Sequence, residues 1–220
     1  MKKVIVAGSS GMIGQLILNR CLKDSAVGEV ISLVRRPMEI EHPKLHEIVL
    51  DDFLDYTNQH AHFTSADAVY YCVGVYTGAV DRERFRQITI DYPMALARAV
   101  QLVSPKSSFV LLSGQGADRK EKSRLMFALD KGIVENQLLS LWGNQFYACR
   151  PGYIYPLQKR KEPNFSYSLS RKLYPVLKHL GKKFSITSEE LAQAMFYIGL
   201  KQPEKTLFEN DDLLRFLEEV

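Results

Sequence analysis

The stretch VIVAGSSGMIGQLIL, residues 4–18, determines how the chain folds. Its first four residues are apolar and mostly β-branched, which is typical of a buried strand, and its last residues have the apolar spacing of a helix. Between them lie Gly8, Gly11 and Gly14 in the spacing GxxGxxG. A strand, a glycine-rich turn and a helix in this order predict the first unit of a parallel sheet.

The same alternation of strand-like and helix-like segments continues along the chain. We predict strands at residues 3–7, 30–34, 46–50, 68–73, 109–112 and 146–149. We predict helices between them at residues 11–23, 84–103 and 120–142. Such alternation is typical of an α/β fold with a doubly wound parallel sheet, because parallel strands need helical crossovers.

The pattern changes after Arg150-Pro151-Gly152, where only isolated helices follow, at 166–180, 189–200 and 212–219. We interpret residues 151–220 as a small helical cap on the substrate side of a single domain that covers residues 1–220. Thr187 and Glu190 have the spacing of a helix capping box. The basic residues of 157–183 form either a solvated helix face or a mobile lid that attracts an anionic substrate or an acidic partner.

The composition is that of an ordinary globular protein and excludes several classes of protein. A net charge of +4 is too mild to indicate nucleic-acid binding, and no apolar run is long enough for a signal peptide or a membrane span. Cys21, Cys72 and Cys149 lie far apart in apolar surroundings, which indicates reduced thiols. We therefore expect a soluble cytoplasmic protein, monomeric or homodimeric. No residues have the spacing of metal ligands, so we expect no metal site.

The glycine spacing indicates a dinucleotide site. Gly8 permits a tight turn, Gly11 lets a diphosphate approach the backbone, and Gly14 lets the helix pack closely on the strand. The N-terminus of the helix then offers free N–H groups and positive potential to the phosphates. The predicted cofactor contacts in this turn are Gly8, Ser10, Gly11, Met12, Ile13 and Gly14.

The second predicted strand ends in Arg35 and Arg36, where an NAD-binding protein would have an acidic residue for the ribose diol. Two guanidinium groups instead suit the 2′-phosphate of NADP, although a solvated arginine pair is the alternative. Asp51 and Asp52 follow the third strand and either accept a hydrogen bond from the adenine amino group or are exposed loop acids.

Several further motifs resemble those of the atypical short-chain dehydrogenase/reductase superfamily, particularly its Tat-interacting-protein-like oxidoreductase branch. They are the glycine turn, the arginine pair, Tyr71-Cys72-Val73-Gly74, Leu111-Leu112-Ser113, Lys131-Gly132 and Arg150-Pro151-Gly152. The resemblance implies a catalytic role for Ser113 and a Lys131 that binds the ribose hydroxyls and lowers the pKa of a neighbouring tyrosine. It also implies cofactor contacts from Cys72, Val73, Gly74, Pro151 and Gly152.

The catalytic tyrosine of that superfamily is replaced here, because its YxxxK motif reads Phe127-Ala128-Leu129-Asp130-Lys131. Phenylalanine cannot transfer a proton, so Tyr76 or Tyr153 would have to substitute, and packing roles are the alternative for both. We therefore expect either an NADP-dependent oxidoreductase of weak or unusual activity on a small carbonyl, or a non-catalytic NADPH-binding regulator that contacts a protein partner. The strings at 155–159 and 174–178 also read YxxxK, but they lie outside the helix that follows the fifth strand.

Overall fold

A seven-stranded parallel sheet forms the centre of the structure, a computed structural model that describes residues 1–157 and 184–220. The strands are β1 (Lys2–Ala7), β2 (Val27–Val34), β3 (Leu45–Val49), β4 (Ala68–Tyr71), β5 (Ser108–Leu112), β6 (Phe146–Arg150), β7 (Tyr153–Tyr155), β8 (Ser185–Thr187) and β9 (Leu207–Glu209). The main sheet has the order β3-β2-β1-β4-β5-β6-β9, and β7 pairs with β8 in a separate parallel pair. The predicted doubly wound α/β fold is confirmed.

The helices are α1 (Met12–Lys23), α2 (His60–Phe63), α3 (Arg82–Arg86), α4 (Tyr92–Val103), α5 (Met126–Trp142), α6 (Ser188–Lys201) and α7 (Asn210–Glu219). A π-helical turn, Gln87–Asp91, joins α3 to α4. Helices α4 and α5 pack together on one face of the sheet, and α1 packs against α6 on the other. No helix in the two described ranges is long and apolar enough to cross a membrane.

The central strands β1, β4, β5 and β6 are mainly apolar and buried because both faces of the sheet are covered. In β1, Ile5 and Ala7 belong to the core cluster under α4 and α5, whereas Val4 and Val6 belong to the cluster under α1 and α6. Successive side chains of a strand point to opposite faces, so a fully buried strand has no polar face. The order of the sheet reverses between β1 and β4, and such a reversal opens a crevice at the carboxyl ends of the strands.

One helix prediction is wrong at its N-terminal end. The helix predicted at 120–142 begins only at Met126, because the Asp118 carboxylate accepts hydrogen bonds from the backbone N–H groups of Lys120, Lys122 and Ser123 at 2.8–2.9 Å. These bonds hold the segment in a loop. The helix predicted at 84–103 is present as α3, the π-helical turn and α4, and it begins two residues earlier, at Arg82.

Part of the segment predicted as a cap belongs to the main layers. Helix α6 packs against α1 and the sheet, and β9 pairs with β6 as an edge strand, so 189–200 is a covering helix of the Rossmann fold and not an isolated cap helix. The capping box is confirmed, since Thr187 and Glu190 exchange hydrogen bonds at the start of α6. The helix predicted at 166–180 and most of the basic segment lie outside the described residues.

Candidate functional site

The glycine turn after β1 is built by close approaches that only glycine permits. Gly8 has φ +83°, and a Cβ added there would lie 2.8 Å from the backbone nitrogen of Val73 at the end of β4. A Cβ at Gly14 would lie 2.2 Å from the carbonyl oxygen of Gly8. Gly11 donates its N–H to the same oxygen at 2.9 Å. The fold therefore requires glycine at positions 8 and 14, as the spacing predicts.

Gly11 differs because the space that a side chain would occupy there is open to the outside. It is exposed, has φ −85°, and a Cβ there would meet only the Gly8 carbonyl oxygen, at 3.2 Å. Helix α1 begins at the next residue with no side-chain cap and no acidic residue in its first turn. The first N–H groups of the helix therefore point to the open side of Gly11, where the helix dipole favours an anion. Ile13 is buried in the core, so only its backbone can serve a ligand.

A cavity of about 270 Å³, here called the inner cavity, lies beside this turn. Its wall is built from the glycine turn, the end of β2, the end of β4 and the segment from the β4–α3 loop to the start of α4. The lining residues are Gly8, Ser10, Gly11, Leu33, Val34, Arg35, Phe53, Cys72, Val73, Gly74, Val75, Val80, Arg84, Ile88 and Tyr92. The cavity thus lies at the crevice where the strand order reverses.

A second cavity, here called the outer cavity, adjoins it at the end of β2 and has a volume of about 720 Å³. Ser10 and Arg35 line both cavities, whereas Arg36 lines only the outer one. The other outer lining residues are Gln15, Pro37, Met38 and Ile40. The structure therefore brings the predicted arginine pair next to the glycine turn.

The acidic pair after β3 is not brought into either cavity. Asp51 and Asp52 are exposed, and the Asp52 carboxylate accepts the backbone N–H of Leu54 at 2.9 Å. Phe53, the next residue along, lines the inner cavity in their place. The predicted contact of the two carboxylates with adenine has no support from this arrangement. Phe53 was missed because a lone aromatic in a loop carries no distinctive spacing.

Three residues of α5 contact three consecutive residues at the end of β5. Lys131 donates from Nζ to the carbonyl oxygen of Leu112 at 3.0 Å. Ser113 donates from Oγ to the Glu135 carboxylate at 2.5 Å. The tip of the Phe127 ring lies against Gly114, where an added Cβ would be 2.5 Å from the ring carbon Cζ. These helix residues are spaced by four, so they share one face.

The Lys131 ammonium is less basic than usual. Loss of hydration lowers the pKa of Lys131 to about 8, although interactions with Glu135 and Cys72 partly oppose that shift. A desolvated ammonium loses hydration free energy, which favours the neutral amine. Lys131 is therefore charged at neutral pH and close to its titration range. It lies in neither cavity wall but beside Cys72, which lines the inner one.

Glu135 is the centre of a buried charged network that the sequence did not reveal. Its carboxylate is fully buried and accepts hydrogen bonds from Arg150 Nε at 3.0 Å and Nη2 at 2.6 Å, and from Arg119 Nε at 2.7 Å. Burial raises the pKa of Glu135, but the hydrogen bonds from Arg150 and Ser113 and the two positive charges outweigh it and hold that pKa below its usual value. Arg150 also contacts Glu209 at 2.9 Å.

This network determines what Ser113 can do. Ser113 is 7% exposed, and its hydroxyl donates its one proton to Glu135, so the same proton is not available to a substrate oxygen in this arrangement. The sequence did contain an indication of this role for Glu135. It follows Lys131 by one helical turn, on the side of the predicted helix that faces the core, and a buried charged residue needs a partner. Its partner Arg150 lies on another element, so the pairing follows only from the fold.

Pro151 and Gly152 line neither cavity. Gln115 donates its N–H to the Pro151 carbonyl at 2.9 Å, and Gly152 donates to the Asn210 side chain at 2.8 Å. A Cβ at Gly152 would lie 2.6 Å from the carbonyl oxygen of Phe184. Both residues thus connect β6 to neighbouring segments. A cofactor contact from this pair remains a prediction.

The structure contains a second buried acid that no sequence motif indicates. Asp130, on α5 directly before Lys131, is fully buried and pairs with Arg82 and Arg86 of α3. It lies in a segment that reads as part of an ordinary helix. The possible substitute tyrosines, Tyr76 and Tyr153, are half-buried and line neither cavity.

Comparison with known proteins agrees with this geometry. The family described as NAD dependent epimerase/dehydratase matches residues 4–126, more than half of the chain. Protein HTATIP2 of Rattus norvegicus is 26% identical over 175 residues, which cover 79% of this chain and 70% of that protein. Protein fmp52-1, mitochondrial, of Aspergillus oryzae is 25% identical over 168 residues, which cover 74% of this chain and 70% of that protein.

Solved structures with the same fold carry related descriptions. A putative NAD-dependent epimerase/dehydratase from Bacillus halodurans has a TM-score of 0.69 at 17% identity and covers 100% of both chains. A short chain dehydrogenase family protein from Francisella tularensis has a TM-score of 0.68 at 14% identity, covering 94% of this chain and 96% of its own. At such identities the likeness concerns the fold alone.

Proposed function

The chain belongs to the NAD dependent epimerase/dehydratase family, and from that premise we propose that it is an NADP-binding oxidoreductase with weak activity on a small carbonyl substrate. The position of the arginine pair carries the proposal. Arg35 lines both cavities and Arg36 lines the outer one, while the glycine turn with its uncapped helix borders the same space. A dinucleotide with one extra phosphate fits this distribution of charge.

The residues present fit such a cofactor. The open side of Gly11 and the first N–H groups of α1 would bind the diphosphate, and the inner cavity would bind the adenosine. Arg35 and Arg36 would bind the 2′-phosphate in the outer cavity through charge-assisted, forked hydrogen bonds. The residues that follow β4, Cys72, Val73 and Gly74, would line the path of the other half of the molecule.

Reduction of a carbonyl needs a hydride, which NADPH supplies when bound, and a proton, which the protein must supply. Phe127 cannot donate one. The Ser113 proton is held by Glu135, so substrate binding must first compete with a short, charge-assisted bond. Lys131 carries a proton at neutral pH, but its ammonium is bonded to the Leu112 carbonyl. A positioned acid contributes about 10²- to 10⁴-fold to rate, and we expect this factor to be missing.

A non-catalytic NADPH-binding regulator is the second candidate, and the bond between Ser113 and Glu135 favours it. In such a protein the network around Glu135 would serve to fix β5, β6 and α5, and the consequence of nucleotide binding would be a changed affinity for a protein partner. Cytoplasmic location, and a monomeric or homodimeric state, belong to both proposals. Fractionation tests the location, which matters because fmp52-1 is named as mitochondrial.

One experiment separates the two candidates. The protein is purified without added nucleotide, denatured, and its released ligand identified by mass spectrometry; NADPH oxidation is then followed on a panel of aldehydes, ketones and quinones. We expect NADP or NADPH to be released and turnover to be slow but above the rate without protein. Turnover at an ordinary enzymatic rate excludes the regulator, and absence of turnover on every compound excludes the oxidoreductase. Release of NAD alone contradicts both.

A further inference from the structure

Three arginines border the two cavities, and each borders a different part. Arg35 lines both cavities, Arg36 lines only the outer one, and Arg84 of α3 lines only the inner one. Neither the glycine turn nor the family resemblance assigns a role to Arg84. We propose that the Arg84 guanidinium stacks on the adenine ring of the bound nucleotide and contributes equally to NADPH and NADH. The inference rests on the proposed function.

The surroundings of Arg84 suit a flat aromatic ligand. Its guanidinium carbon lies 5.4 Å from the centroid of the Tyr92 ring, and Tyr92 packs against Phe53 with ring centroids 5.7 Å apart. All three side chains line the inner cavity, together with the apolar side chains of Ile88 and Val73. A planar, weakly hydrated guanidinium stacks well on a π-system, whereas a phosphate needs several polar donors. The wall near Arg84 therefore favours a base over a phosphate.

The backbone that carries Arg84 is anchored on both sides. Its own N–H donates to the Asp81 side chain at 2.8 Å, which caps α3. Arg82 and Arg86, two residues to either side, both pair with the buried carboxylate of Asp130, and one Arg82 contact measures 2.8 Å. Residues two apart on a helix differ in direction by roughly 200°. Arg84 therefore projects away from α5 while its neighbours hold the short helix in place.

This anchoring matters for affinity because the guanidinium is held at the cavity wall before a ligand arrives. A pre-positioned group loses less conformational entropy on binding than a free side chain. Arg84 itself is exposed and pairs with Gln87 of the following turn, so its removal leaves no buried charge behind. The variant should therefore report on binding and not on folding.

The test is a calorimetric titration of NADPH and NADH into wild type, Arg84→Ala, Arg36→Ala and the control Arg98→Ala. Arg98 is an exposed arginine of α4 that lines neither cavity. We expect Arg84→Ala to weaken both nucleotides by the same factor, about fivefold, as removal of a partly exposed cation–π contact implies. Arg36→Ala should weaken NADPH alone, and Arg98→Ala should change neither affinity.

The possible failures are distinguishable. If Arg84→Ala weakens only NADPH, then Arg84 binds the 2′-phosphate and the stacking role is wrong. If both nucleotides bind wild type and Arg84→Ala equally well, then Arg84 has no role in binding, while the proposed function stands. If wild type binds neither nucleotide, the proposed function itself fails. Melting temperatures of all four proteins, which we expect to agree, show whether a lost affinity reflects a lost fold.

Discussion

Replacing Phe127 by tyrosine should raise the rate of NADPH-dependent carbonyl reduction. The new hydroxyl would extend from the ring carbon that already lies against Gly114, and Lys131 follows Phe127 by one turn on the same face of α5. Lys131 has a pKa of about 8, so most molecules carry its positive charge at pH 7. This positive charge favours the deprotonated phenolate form of the new tyrosine over its neutral phenol form.

The size of the effect follows from the charge. At about 5 Å and an effective dielectric constant of about 20, one positive charge stabilises a phenolate by about 3 kcal/mol, which lowers the phenol pKa by about 2 units from about 10. A phenol of pKa about 8 is a suitable proton donor at neutral pH. We therefore expect a gain of about 10²-fold for Phe127→Tyr, the lower end of the range for a positioned acid. Reduction should decline above about pH 8, where the phenol loses the proton that it must donate.

The assay is NADPH oxidation on the same carbonyl panel from pH 5.5 to 9.5. Phe127→Leu controls for loss of ring packing, and Phe127→Tyr/Lys131→Met removes the charge while keeping the hydroxyl. The gain should be confined to the single tyrosine variant. The ring tip is tightly packed against Gly114, so nucleotide affinity and melting temperature are measured in parallel. An unchanged rate in a folded, nucleotide-binding Phe127→Tyr protein would refute the reasoning and favour the regulator.

Two further predictions concern the glycine turn and the buried network. Gly11→Val should abolish nucleotide binding, measured by calorimetry, while the protein stays folded. Gly14→Ala should instead destabilise the protein by about 1–3 kcal/mol in urea unfolding, because its Cβ would lie 2.2 Å from the Gly8 carbonyl oxygen. The reverse pattern would contradict the geometry of the turn. Glu135→Gln should lose about 3 kcal/mol of unfolding free energy at pH 7, because the buried Arg150 then keeps only the more exposed Glu209 as a counter-charge. Because the pKa of Glu135 is lowered, its contribution to stability is complete above about pH 5 and is lost as pH falls through that pKa. The stability difference between wild type and Glu135→Gln should therefore shrink in acid. An equal difference at pH 3 and pH 7 would be evidence against an ionic role of Glu135.

The sheet and the glycine turn were predictable because their signals are local. The six predicted strands are mainly apolar, and the glycines stand at fixed spacing between a strand and a helix. The family resemblance read from these motifs is likewise confirmed. The strands β7, β8 and β9 were missed because each has only three residues, too few for a period to be recognised. Asp118 displaced the start of α5 by six residues, since a single side chain can compete with helix formation.

The pairings within the site were not predictable, because they join residues from different elements. Ser113 follows β5, Glu135 lies on α5 and Arg150 ends β6, and only packing of α5 on the sheet brings them together. The family resemblance gave Ser113 a catalytic role without showing that Glu135 holds its proton. Similarly, the position of α3 places Arg84 at the wall of the inner cavity, and no short sequence motif indicates that position.

The most direct test of the central claim is a paired titration of NADPH and NADH into wild type and an Arg35→Ala, Arg36→Ala double variant. Each charge-assisted contact with the 2′-phosphate should exceed a neutral hydrogen bond by about 1 kcal/mol, so we predict that wild type binds NADPH at least about tenfold more tightly than NADH. The double variant should lose that preference. Equal affinities in wild type, or a preference for NADPH that survives in the double variant, would contradict the assignment of this site to NADP.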